Sequence, residues 1–102
     1  MNKIIKKMLD KYYIDKLTNE IRESCIFKYD LDFRVTDDAN NKKVYLAVKK
    51  RKYKEAEYAT IFTFGYDDAL IMLIKLNDVK QMVNDYIKDY LERERLIWKI
   101  IN

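Results

Sequence analysis

Carboxylates, amines and phenols make up nearly all the reactive side chains of this sequence, because histidine is absent and Cys25 and Ser24 are the only thiol and the only serine. Without histidine there is no Ser-His or Cys-His pair, and one cysteine supplies neither a zinc site of the usual Cys/His type nor an internal disulfide. The single glycine, Gly65, excludes the glycine-rich loops that cradle phosphates in Walker and Rossmann motifs. Two acidic pairs stand out, Asp30 with Asp32 on one face of an alternating stretch and the adjacent Asp67 and Asp68. Such pairs can hold Mg²⁺, but they are far more often a solvated face or a helix cap. No catalysis, cofactor or metal is expected.

The amines are placed more tellingly. Residues 1–54 hold 15 Lys/Arg against 8 Asp/Glu, and residues 55–102 hold 6 against 9, so the net +4 of the chain is a basic half joined to an acidic one. Within the basic half, Lys42, Lys43, Lys49, Lys50, Arg51, Lys52 and Lys54 occupy a stretch that contains no acid. With Tyr45 and Tyr53 interleaved, this segment is a candidate nucleic-acid contact, the amines following a phosphate backbone while the rings stack on bases. Its structural alternative is a solvated hairpin end protected by lysines. A second candidate is apolar. Leu96, Ile97, Trp98, Ile100 and Ile101 crowd the C-terminal end and include the only tryptophan, which suits a partner-docking surface or a piece of core.

The elements that must position these residues follow from periodicity. Lys3 to Glu23 is helical, with Ile4, Ile5, Met8, Leu9 and Tyr12 on one face and Ile14, Leu17 and Ile21 on a rotated one, so this helix is bent near Tyr12 or changes neighbours along its length. Phe27, Tyr29, Leu31, Phe33 and Val35 alternate with Lys28, Asp30, Asp32 and Arg34, a strand that starts at Phe27. Asp37 to Asn41 is turn chemistry and closes a hairpin onto Lys43 to Lys50, with Val44, Leu46 and Val48 inward. Tyr58 to Gly65 is a third strand. Ala69 to Leu76 is a helix, apolar almost all round and therefore expected to be buried on more than one side, with a second subunit as one possible cover. Asp78 and Gln81 suggest a fresh cap, followed by a long helix whose seam is Val79, Val83, Tyr86, Tyr90, Ile97 and Ile100, interrupted by Arg93.

The whole is one α+β domain over residues 1–102, a three-stranded antiparallel β-meander covered by helices in the order α-β-β-β-α-α. In topology alone it is similar to the double-stranded-RNA-binding domain. Where that family opens its last helix on a phosphate-holding lysine motif, this chain has Tyr66-Asp67-Asp68, which repels phosphate. Helix, three strands and helix also begin the PD-(D/E)xK nuclease core, whose paired strand carboxylates and lysine are missing here.

Lys, Asn, Ile, Phe, Tyr and Met together account for 52 residues, a balance typical of AT-rich coding sequence and of low-GC bacteria, their phages and mobile elements. No secretory pattern and no membrane-spanning run is read, so a cytoplasmic location is expected. The functional expectation is a small non-catalytic binding protein, for instance a phage or mobile-element inhibitor in the style of anti-CRISPR proteins, that occupies a surface of a protein or ribonucleoprotein partner. The alternative is a nucleic-acid-binding accessory protein that uses residues 42–54. A homodimer is expected.

Overall fold

A computed structural model describes residues 2–26, 28–53 and 55–101, without the side chains of Ile26 and Ile101. Helix α1 spans Lys3–Ile26, strands β1 Leu31–Asp38, β2 Lys43–Lys50 and β3 Ala59–Gly65, and helices α2 Ala69–Ile74 and α3 Leu76–Ile101, with a 3₁₀ turn at Tyr66–Asp68. The three strands form an antiparallel meander in sequence order, covered on one face by helices.

Alternation fixes the inner face of the sheet. Val44, Leu46 and Val48 of β2 are fully buried, with Leu31 and Phe64 beside them. The β1–β2 turn is closed by Asp38, whose carboxylate accepts from the backbone N–H and the side-chain amide of Asn41 at 3.3 and 2.7 Å. These bonds hold the Asp38 carboxyl below the usual carboxylate range. Lys42 completes the turn at φ 52°, in the left-handed region. On β3, Ile61 is an extra residue, since Leu46 pairs with Phe62 while Ala47 pairs with Thr60.

Four local readings are corrected. Strand β1 starts at Leu31, because Tyr29 lies in a bend tied by its N–H to the Cys25 carbonyl at 3.0 Å; Phe27 lies outside the described residues. Helix α1 runs continuously through Tyr12, yet only its second face, Ile14, Leu17, Ile21 and Cys25, enters the core, and Ile4, Ile5, Met8 and Tyr12 are exposed. Helix α2 is covered on one side only. Ala69 is buried and Met72 and Leu73 pack against the core, while Leu70, Ile71 and Ile74 face outward, Ile74 with 75% of its surface exposed. Helix α3 begins at Leu76, so Asp78 sits in its first turn, and Gln81 donates to Asp85 at 3.0 Å rather than closing a cap. Its seam is Val79, Val83, Ile87 and Tyr90; Tyr86 is exposed, because the 4-spaced choice after Val83 is the one that meets the core.

Among the described residues no helix is long and apolar enough to cross a membrane.

Candidate functional site

Helices α1 and α3 advance in the same direction along the sheet. Lys80 and Glu20 form an ion pair at 3.1 Å, and further on Lys28 and Lys88 line one cleft. Helix α1 therefore extends backwards from this contact and α3 forwards. With 24 and 26 residues, the helices are roughly 36 and 39 Å long, against roughly 27 Å for an eight-residue strand. The helices thus overhang opposite ends of the sheet, in keeping with a molecule 57 Å long and 18 Å thin.

The C-terminal candidates lie on the overhang of α3. Leu96, Ile97, Trp98 and Ile100 are all exposed, Ile100 at 84%, and the Ile101 side chain lies outside the described residues. Ile97 closes a shallow groove of about 320 Å³ whose other apolar walls include Ile61, Tyr86 and Tyr90. Trp98 is braced from one side, its ring stacked on Tyr53 of the β2–β3 connection with centroids 5.0 Å apart and planes 24° apart. This stacking joins the two sequence candidates at one place, which no spacing in the sequence announces.

The basic segment does not form one strip. Strand β2 carries Lys42 and Lys43 to one end of the sheet and Lys50, Arg51 and Lys52 to the other, roughly 23 Å away. Arg51 is committed internally, with Nε 3.2 Å from Asp32 and 3.9 Å from Asp30, and Nη2 donating to the Leu31 carbonyl at 3.3 Å. Tyr53 has its ring engaged by Trp98, with the Lys50 ammonium 5.7 Å from its centroid. Lys49 points to the open face of the sheet, 5.2 Å from the Tyr58 ring, which Arg34 also approaches at 5.5 Å. Lys54 lies outside the described residues.

The fold assembles a different group of cations. Lys28, Lys50, Lys52, Lys88 and Arg95, from three separate segments, line an open cleft of about 620 Å³ together with Tyr29, Leu31, Leu91, Asp30 and Glu92. Sequence reasoning missed Lys28, Lys88 and Arg95, which are far from residues 50–52 along the chain. Glu92 bonds Arg95 at 2.7 Å, which lowers the carboxyl and raises the guanidinium. Beside the cleft, burial and the nearby Glu94 push the Tyr90 phenol up, opposed by the Lys50 backbone amide.

The acidic pairs are occupied by structure. Asp30 and Asp32 face Arg51; Asp67 pairs with Lys6 at 3.6 Å, and Asp68 accepts the Gly65 N–H at 3.3 Å. Among the described residues no group of three or more His, Cys, Asp or Glu is placed to hold a metal ion. Cys25 is fully buried, and that burial pushes its thiol up despite Ser24 and Lys28 beside it. Compared with protein-family models, curated proteins and solved structures, the chain matches none.

Proposed function

We propose that the protein is a small binding protein without catalysis that works by occupying a surface of a larger macromolecule, with the last turns of α3 as the docking element. The observation that carries this reading is the exposure of Leu96, Ile97, Trp98 and Ile100 on turns that project past the strands. Apolar side chains grouped on an exposed helix end are available to a partner, and an aromatic anchor already held by Tyr53 loses little freedom on binding. A phage- or mobile-element-encoded inhibitor of a host complex, in the manner of anti-CRISPR proteins, is the form of this role that the composition suits.

A homodimer belongs to the same proposal at the opposite end, where Leu70, Ile71 and Ile74 of α2 and Ile4, Ile5 and Met8 of α1 are exposed. The Lys6–Asp67 pair holds the start of α1 beside α2.

The test is recovery of partners from low-GC bacterial extracts by the tagged full chain at moderate and high salt. The expected result is a partner retained at high salt by the wild type and by Ile4→Ala/Ile5→Ala, and lost by Trp98→Ala/Ile100→Ala. Recovery of the same set by all three proteins would overturn the assignment of the α3 turns.

A further inference from the structure

The cleft between the α1–β1 connection, the end of β2 and α3 adjoins the docking turns without including them, and its lining points to a ligand of its own. Lys28, Lys50, Lys52 and Lys88 converge on it, and among the described residues none of these ammonium groups forms an ion pair. The two acids of the lining leave it with a net positive charge. Asp30 lies 3.9 Å from Arg51, and Glu92 is bound by Arg95. Gathering four cations that lack a carboxylate partner around one hollow, with Lys28 and Lys50 resting only on the rings of Tyr29 and Tyr53, is unfavourable by itself and becomes favourable when a polyanion enters.

Two further features shape that anion. The floor is apolar and aromatic, made by Leu31, Leu91 and Tyr29, and the volume of about 620 Å³ lies in the range of small-molecule sites. A ligand with a multiply charged end and a flat, partly apolar body satisfies both the amines and the floor.

We propose that this cleft binds a phosphorylated ligand of nucleotide size, its phosphates held by Lys50, Lys52 and Lys88 and its body lying against Tyr29, Leu31 and Leu91. The same chemistry has two sources, a free nucleotide or a nucleotide unit within a single strand of nucleic acid. Because it rests on different residues and a different force from the adjoining α3 docking turns, either proposal can fail without the other.

Binding of dye-labelled ATP and of a short dye-labelled single-stranded RNA to the full chain at low salt tests it, by anisotropy. Saturable binding of at least one probe is expected, weakened about tenfold or more by Lys52→Gln/Lys88→Gln and little changed by Lys42→Gln/Lys43→Gln at the far end. Tyr29→Phe, which keeps the ring and removes a hydroxyl that is buried away from the cleft, is expected to leave binding nearly unchanged. RNA binding with a log–log salt slope of about −0.7 per phosphate marks the strand as source, and ATP binding of equal or greater strength marks the free nucleotide. Absence of binding by both probes, or equal losses from the variants at the two ends, would overturn the proposal. Circular dichroism melts of the variants, whose lysines are on the surface, separate lost binding from lost folding.

Discussion

The two ends of the molecule both present apolar side chains, but they are built differently. At one end the start of α1 and the outward side of α2 offer Ile4, Ile5, Met8, Leu70, Ile71 and Ile74, tied together by an exposed ion pair between Lys6 and Asp67. At the other, the last turns of α3 stand beside a basic cleft and are braced by Tyr53 stacked on Trp98. Exposed ion pairs contribute roughly 0–1 kcal/mol, while a stacked aromatic pair adds about 0.5–1.5 kcal/mol beyond its buried area. The brace therefore gives the α3 end a defined shape before any partner arrives, whereas the proposed dimer surface at the α1–α2 end is held by an exposed ion pair. Between them lies the core, and the ends are surfaces because the helices are longer than the sheet they cover.

Truncations along α1 should break that division most sharply. Ile21→Ala, in the fully buried part of the helix, is expected to destabilise by about 2–5 kcal/mol, while Ile4→Ala on its overhang should change urea-unfolding stability by less than about 0.5 kcal/mol. Equal costs would mean that the overhang belongs to the core. Next comes the brace: Trp98→Ala should cost about 1 kcal/mol in the isolated protein, well short of the ~3–5 kcal/mol of a core aromatic, and Tyr53→Ala should cost no less than the shared stacking. At the opposite end, Leu70→Asp/Ile74→Asp is expected to halve the mass seen by light scattering with the melting temperature of the fold retained. A wild type that scatters as a monomer at every concentration would remove the dimer.

Smaller effects sharpen the turn end. Lys42→Gly should stabilise by about 0.5–1 kcal/mol, since Lys42 holds φ 52° at a cost glycine avoids. The Tyr66 hydroxyl donates to Asp37, and that bond, with the acids around it, pushes the phenol from its ordinary value near 10 up to about 12. A phenol raised in the folded state contributes stability that is present below pH 10 and is lost as pH rises through about 12. Tyr66→Phe should remove that alkaline dependence and shift the melting temperature little at neutral pH, because the pair is exposed.

The sheet was legible because a two-residue period leaves little freedom. Val44, Leu46 and Val48 alternate with Lys43, Tyr45, Ala47 and Lys49, and the strand bounds of β2 follow from that pattern, although Ala47 is buried as well. Helix faces were less so. After Val83 both Tyr86 and Ile87 fit helical spacing, and only the position of the sheet decides that Ile87 goes in. The apolar run of α2 looked like a buried helix because periodicity reports which faces are apolar and not whether the chain has anything left to cover them. The basic run from Lys42 to Lys54 was visible as composition, but a strand passes through it and separates its ends. The cleft was hidden for the opposite reason, since Lys28, Lys52 and Lys88 meet only after α1, β2 and α3 are packed.

Urea unfolding of the chain ending at Arg95 measures most directly whether the α3 turns are a docking surface rather than core. Loss of Leu96 to Asn102 removes the exposed turns and the Trp98–Tyr53 stack but none of Val79, Val83, Ile87 or Tyr90. The expected result is a cooperative transition within about 1–2 kcal/mol of the full chain, the stack being the main loss. A truncated chain that is unfolded without denaturant would contradict it, showing that the last turns hold the fold together.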